Sequence, residues 1–236
     1  MTRLLTFLLV ITVLISCKPE SKAQNHTTET ISEEQIEITV AEKIAQAHGY
    51  DHWNNVNTIE FTFNVDRGDN HFQRSWEWQP KADYVVSMVS KDSISMYTRQ
   101  TPSNTIETID PKFINVDKSF INDKFWLLIP FQMVWDDGTT LSESIKAVAP
   151  IAKTEMNKIT LTYSNEGGYT PGDAYDIFYD EDFIIREWVF RKGNSETPTM
   201  TTTFENYEDF NGIKIAKDHK MADGNFNLYF SNIKIQ

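Results

Sequence analysis

Apolar side chains recur at every second position of this chain from Thr58 onward, and a segment with that period buries them on one side only as a strand. Ile59, Phe61, Phe63 and Val65 alternate with Glu60, Thr62 and Asn64, and successive side chains of a strand point to opposite faces. After a turn at Arg67-Gly68-Asp69-Asn70, Phe72 to Trp78 alternates again and puts Trp76 and Trp78 on one face. Short strands are predicted at Tyr84 to Val89, Ser93 to Thr98 and Thr105 to Ile109. The last third adds Lys158 to Tyr163, Ala174 to Tyr179, Phe183 to Arg191, Thr199 to Tyr207, Ile213 to Met221 and Phe226 to Ile235. Asp180-Glu181-Asp182, Asn211-Gly212 and Asp223-Gly224 lie between several of these, and Asn-Gly and Asp-Gly suit the two-residue turns of antiparallel hairpins. The pattern predicts about ten or eleven strands in hairpin succession.

Two stretches keep a different rhythm. Ile36, Val40 and Ile44 recur every four residues, with Ala41, Ala45 and Ala47 between them, which predicts an amphipathic helix. Gly49 stands where a helix-ending glycine belongs, and Asp51-His52-Trp53 opens a short turn after it. Between Pro111 and Trp135, the residues Phe113, Val116, Phe120, Ile121, Leu127 and Leu128 fit a helical spacing imperfectly. Pro130 should end or kink whatever forms there, so one or two helices are expected, packed on the sheet. The fold class is mainly β with helices, an α+β arrangement.

The N-terminus carries an address. Leu4 to Ile15 is an apolar run of 12 residues preceded by Arg3, which is too short to cross a bilayer that needs ~20 and suits a signal peptide. It closes on Leu14-Ile15-Ser16-Cys17, the form of a lipobox, at which bacterial enzymes attach lipid to the cysteine and cut before it. The expected organisation is a lipoprotein signal peptide at 1–16, a flexible polar tether at 17–35 and a single domain at 36–236. Cys17 is the lipid attachment site and the only cysteine. The domain therefore has no disulfide, no cysteine nucleophile and no cysteine-ligated metal, and rests on apolar burial, for which 15 Phe, 9 Tyr and 6 Trp are present. The residues after the cysteine, Lys18-Pro19-Glu20-Ser21-Lys22, are not an acidic run. The expected location is the cell envelope, lipid-anchored in the outer membrane and facing the periplasm. Without Arg3 the chain has 21 basic against 34 acidic residues, a net charge of −13. Such a surface repels nucleic acid phosphates.

No catalytic constellation stands out. His48 and His52 are four apart, but Gly49 between them should stop the helix that would align them on a metal, and no third ligand follows at a recognisable spacing. Asp173 to Asp182 is acidic, yet aromatics occupy its intervening positions in strand alternation and it lacks the central glycine of a calcium loop. Gly167-Gly168 is not followed by the lysine and hydroxyl of a phosphate loop, and no Gly-x-Ser-x-Gly elbow occurs. No cofactor or metal is expected.

The aromatic residues are more suggestive. In Phe183 to Phe190, Ile184, Trp188 and Phe190 share one face of the strand while Phe183, Ile185 and Val189 share the other, and a one-sided sheet needs only one apolar face. Either helices cover one side, or a curved sheet holds an apolar cavity on its concave face. Phe61, Phe63, Trp76, Trp78, Trp188 and Phe190 are the candidate lining of such a cavity.

Tyr175-Asp176-Ile177-Phe178-Tyr179-Asp180 and Phe204 through Ile215, with Asn211-Gly212-Ile213 near its end, resemble the closing strands of the outer-membrane lipoprotein carriers LolA and LolB. The element order from about residue 38 to 236 is similar as well, and the pattern resembles that of Bacteroidetes lipoproteins of this type. The resemblance implies a half-open antiparallel β-barrel wrapped around an N-terminal helix and central helices, sheltering acyl chains or other hydrophobic ligands. It implies no catalytic residue. The soluble carrier of that family has no lipid anchor, so Cys17 sets this chain with the anchored members. The expectation is a non-enzymatic, monomeric, membrane-anchored protein that binds a lipid or lipoprotein acyl chain. The alternatives are an interaction or envelope-sensing module with a filled core, and an envelope hydrolase without a local signature.

Overall fold

The computed structural model describes residues 38–90, 93–99 and 109–236. The signal segment 1–16, Cys17, the tether 17–35, Ile36 and the expected strand at 105–108 lie outside the described residues. Helix α1 spans Val40–Ala47 and is followed by a 3-10 turn at Tyr50–Asn55. Strands β1 (Ile59–Arg67), β2 (Asn70–Gln79), β3 (Tyr84–Ser90) and β4 (Ser93–Thr98) lead to helix α2 (Ile114–Trp135). Then come β5 (Thr139–Leu141), β6 (Ile145–Val148), β7 (Glu155–Tyr163), β8 (Ala174–Tyr179) and β9 (Ile185–Arg191). The chain closes with β10 (Met200–Thr203), β11 (Glu205–Phe210), β12 (Ile213–Lys220) and β13 (Phe226–Ile235).

All the strand pairs are antiparallel and fall into two sheets. The first runs β11-β12-β13-β1-β2-β3-β4, and the second runs β10-β9-β8-β7-β5 with β6 also on β7. At one corner the sheets are continuous, because the chain leaves the second sheet at β10 and enters the first at β11. Phe204 sits in that step, its backbone N–H donating to Arg186 O at 2.7 Å. At the other corner β4 and β5 are edge strands, and among the described residues they do not pair with each other, so the barrel is half open. Helix α2 lies between the sheets, touching Trp76 and Trp78 of β2 through Phe120 and Tyr175 and Trp188 of β8 and β9 through Phe125. Among the described residues no helix is long and apolar enough to cross a membrane.

The structure departs from the sequence expectation in the strand count, the helix start and the β9 face, and it resolves the central region within the expected range. Thirteen strands form among the described residues rather than ten or eleven, because β5 and β6 were not anticipated and Thr199 to Tyr207 divides at Phe204 between two sheets. The N-terminal helix begins at Val40, where Thr39 and Glu42 make a reciprocal capping box that fixes the start. The central region is a single helix kinked at Leu128 (φ −124°, ψ 23°), two residues before Pro130, whose ring nitrogen has no hydrogen to return to the preceding turn. Finally, Ile185 and Val189 do not share an environment. The β8–β9 register slips between Phe178 and Tyr179, leaving Arg186 without an opposite residue. This bulge turns Ile185 into the main core, while Val189 packs on the outer face with Phe178 and Ala149.

Gly49 ends α1 with φ +94°, a conformation open to glycine at little cost. It is also pressed against the β11–β12 turn, where an added Cβ would stand 1.8 Å from Gly212 O. Gly49→Ala should therefore lose at least about 2 kcal/mol, roughly 4 to 8 °C in Tm for a domain of this size. Gly68→Ala, also at positive φ but with nothing within 4 Å, should lose about half of that. Calorimetry of the two variants checks the difference, and equal losses would mean that the contact with Gly212 contributes nothing.

Candidate functional site

Four segments line a cavity of about 280 Å³: the first half of α2, the end of α2 with the turn to Gly138, the ends of β7 and β8, and the loop that joins those two strands. Ile121 and Phe125 are one helical turn apart, so they present one face. Tyr163 is the last inward position of β7 after Ile159 and Leu161, and Tyr175 is the first of β8, opposite Leu161. The outward positions are polar, Asp176 accepting from Thr160 at 2.7 Å and pairing with Arg191 at 3.0 Å. Alternation alone thus sends both tyrosines inward, where Phe125 meets Tyr175 at 4.8 Å and Tyr163 at 6.1 Å between ring centroids.

The loop is held at its base and at its tip. Ser164 O accepts from Gly172 at 2.7 Å, and Ser164 N donates to Gly138 O at 2.8 Å. Gly167 and Gly168 both have positive φ, which allows the chain to reverse and carry Tyr169 back to α2. There its hydroxyl donates to Asp117 at 2.8 Å. Asp117 is fully buried and also accepts from Arg99 at 2.8 Å and Tyr97 at 3.0 Å. On the other side of the cavity the Tyr163 hydroxyl donates to Asp136 at 2.5 Å, and the Gln132 amide donates to the same carboxylate at 2.9 Å. Burial, with the neighbouring carboxylates adding to it, raises the phenols of Tyr163, Tyr169 and Tyr175 well above their ordinary value. They are neutral donors with no capacity to act as bases at ordinary pH.

The residues nominated from sequence lie elsewhere. Phe61, Phe63, Trp76, Trp78 and Trp188 are all buried in the main core, and Phe190 is half-buried. Trp76 and Trp78 pack on Phe120 of α2 at 5.4 and 5.7 Å, and Phe61 and Phe63 each meet Phe230 at 5.9 Å. None of the six lines the cavity. The nearest are Trp188 and Phe190, which stand behind its wall against Tyr175 at 5.0 and 5.1 Å. The residues that do line it were legible in part: Tyr163 and Tyr175 at inward strand positions, Ile121 and Phe125 at helical spacing. What no local pattern contained is that the loop folds over them.

The other sequence candidates resolve simply. His48 is fully buried, its Nδ1 2.8 Å from Ile44 O, while His52 is exposed with its ring against Gly212. Among the described residues no group of three or more His, Cys, Asp or Glu is arranged to hold a metal ion. The acidic stretch is β8 and its hairpin tip, where Asp180 accepts from the backbone of Asp182 and Ile184 and pairs with Arg186. Lys124 is buried with its ammonium 5.2 Å from the Trp78 ring centre. Desolvation lowers its pKa to about 8, with Asp136 opposing. It does not line the cavity. The His71–Asp66 pair is exposed and has no hydroxyl nucleophile bonded to it.

No protein-family model and no curated protein matches the sequence. Two solved structures are similar at 10% identity. A DUF1329 family protein from Desulfovibrio piger aligns over 84% of this chain and 92% of its own, with a TM-score of 0.42. A domain from Vibrio parahaemolyticus named for outer membrane lipoprotein sorting aligns over 83% of this chain and 93% of its own, with a TM-score of 0.39.

Two buried histidines set the acid limit of this architecture. Burial lowers His48 to about 4 and His219 to about 3, so the unfolded chain takes up protons first as pH falls below the free value near 6.5. Stability should fall from pH 6.5 downward until the folded pKa values are reached, by about 2 kcal/mol per histidine at pH 5. Asp83 and Asp123, raised mainly by burial, work in the opposite direction at lower pH. Urea titrations at pH 7 and 5 should show the loss cut by about half in His219→Gln. An unchanged difference in that variant would remove His219 from the account.

Proposed function

We propose that this chain is a non-enzymatic, lipid-anchored protein of the cell envelope that binds the apolar part of a ligand between α2 and the β7–β8 loop. The cavity of about 280 Å³ carries this reading. It lies just below the ~300–1,000 Å³ typical of ligand sites, and Ile121, Phe125, Tyr163 and Tyr175 give it an apolar side that faces a polar rim including Lys118, Asn122, Asp137 and Glu166. A short alkyl segment or a single ring suits its size. The lipobox at Leu14 to Cys17 supports the anchor, and a stable anchor needs more than one acyl chain. The outer membrane, facing the periplasm, is the proposed location, with the domain as a monomer. The ligand class of a lipid or lipoprotein acyl chain, and the kinship with Bacteroidetes lipoproteins, rest on the sequence resemblance.

A second reading has its own observation. The aromatic face of β1 and β2 is closed core, so the barrel axis is filled by the protein's own rings. An interaction or envelope-sensing module with a filled interior would look the same there. The hydrolase reading has the least support: the cavity phenols are held protonated, and among the described residues no histidine lines it.

Native mass spectrometry separates the first two. Lipid should co-purify with the wild type and be lost in Ile121→Trp, which fills the cavity at a cost of about 1 to 3 kcal/mol. Trp78→Gln, in closed core, should instead cost roughly 3 to 5 kcal/mol. A wild type that carries no lipid and binds no fluorescent fatty-acid probe would leave the interaction module standing.

The anchor has a separate test. Cys17→Ala should leave a precursor that takes up no radiolabelled palmitate and leaves the detergent-resistant membrane fraction. Unchanged labelling would remove the lipoprotein assignment.

A further inference from the structure

The cavity holds a polar atom that the fold leaves unused. Of the side chains lining it, Gln132 and Tyr175 are buried and carry hydrogen-bonding groups. The Gln132 amide is committed to Asp136, as is the Tyr163 hydroxyl, and Tyr169 is committed to Asp117. The Tyr175 hydroxyl has no hydrogen-bond partner among the described residues. Unlike the Trp188 indole N–H behind it, which is unpartnered and sealed from solvent, this hydroxyl is open to the cavity. Its ring is not free to swing towards a partner, being stacked on Phe190 at 5.1 Å with Phe125, Trp188 and Tyr163 at 4.8, 5.0 and 6.2 Å. Burial keeps the phenol protonated, so a fixed O–H is offered to whatever enters. A buried donor left unpaired costs free energy, which an acceptor on a ligand would remove.

The surroundings select among acceptors. The charges acting on this hydroxyl are the carboxylates of Asp173 and Asp136, so a ligand carboxylate placed there meets repulsion from both. An ammonium group has no lone pair to take the proton. A ligand hydroxyl brings a second proton to a wall of Ile121, Phe125 and tyrosine rings, whereas a carbonyl accepts and brings none. We infer that the cavity takes an uncharged carbonyl compound, its alkyl or aryl part against Ile121 and Phe125 and its oxygen accepting from Tyr175. This rests on the binding-cavity reading and goes beyond it by naming the group that enters. An acyl chain seated at Tyr175 is then an ester or an amide, not a free acid.

Acetophenone, ethylbenzene, α-methylbenzyl alcohol and benzoate share a ring and differ in the group beside it. They are titrated by calorimetry into the full-length chain in nanodiscs, with lipid-only nanodiscs as the blank. Acetophenone should bind roughly three- to ten-fold tighter than ethylbenzene, the scale of one neutral hydrogen bond. The alcohol should fall between them, and benzoate should bind weakest. Tyr175→Phe keeps the ring and removes only the unpartnered hydroxyl. It should bring acetophenone down to ethylbenzene while leaving ethylbenzene binding and the melting temperature unchanged. Tyr163→Phe removes a bonded hydroxyl from the same wall, and should lower the melting temperature while keeping the preference. The wild type supplies a readout of its own: the infrared carbonyl band of bound, isotope-labelled acetophenone should lie at lower wavenumber than in lipid alone. Displacement of acetophenone by monohexanoylglycerol would assign the carbonyl to an ester-linked acyl chain, and displacement by hexanamide alone to an amide-linked one. Equal binding of acetophenone and ethylbenzene, or an unshifted band, would overturn the role of Tyr175 and leave the cavity reading in place. Tightest binding of benzoate or of the alcohol would overturn the choice of a carbonyl. Binding of none of the four would overturn both readings.

Discussion

Asp123 is the residue on which the interior depends. It is fully buried on α2, between two sheets, and burial pushes its carboxyl pKa up. A lone carboxylate there would be costly enough to stay protonated or to expel the helix. It stays because Arg74 of β2 grips both oxygens, at 2.8 and 2.6 Å, and Trp76 of the same strand donates its indole N–H at 2.8 Å. A buried pair of this kind adds little net stability over an apolar equivalent, but losing one partner costs about 3 to 5 kcal/mol. Its effect is therefore on geometry: of the ways to slide or rotate α2 between two aromatic surfaces, only those that bring Asp123 to Arg74 are allowed.

A second buried carboxylate completes the constraint. Asp117 lies six positions earlier on the same helix, which turns it about a third of a circle away from Asp123. It faces Arg99 and Tyr97 at the end of β4, and Tyr169 on the β7–β8 loop. Two ion-paired acids pointing in different directions fix both the rotation and the height of α2. The remaining helix face, with Lys118, Ile121, Asn122 and Phe125 at spacings of three and four, is then left towards β7 and β8. The cavity thus follows from where the acids must go, and Tyr169 closes it over by donating to Asp117, the same anchor.

This also explains which parts of the fold could be read in advance. Strands with one buried face announce themselves, and β1, β2, β8 and β13 lie where the alternation puts them. β5 and β6 did not, since they are three and four residues long and their apolar side chains are turned to solvent, Ile145 and Val148 being 52% and 63% exposed. Alternation also runs unbroken from Thr202 through Phe204, so nothing local marked the step from one sheet to the other. In α2 the acids Asp117 and Asp123 and the base Lys124 interrupt any apolar stripe, so the helix looked irregular although it is mostly buried. The site suffered most. Phe61, Trp76 and Trp78 have the composition of a ligand wall, and sequence cannot tell a wall from a core when Phe120 comes from a segment more than forty residues away.

The same ion pairs limit what the domain can hold. Phe120, Trp126 and Trp188 occupy the space between the sheets that a half-open barrel would otherwise offer to a long chain. A ligand that enters without moving α2 is confined to the cavity and contributes only one end. A ligand that lies along the barrel axis must displace the helix, and with it the Arg74–Asp123 and Arg99–Asp117 pairs, before its own burial returns anything. Burial yields about 25 cal/mol per Å², so some 150 to 200 Å² of apolar ligand surface is needed to offset each broken pair at the ~4 kcal/mol such pairs cost to separate. Capacity and helix position are therefore one variable in this fold, and the strength of two buried ion pairs sets the smallest ligand able to change it.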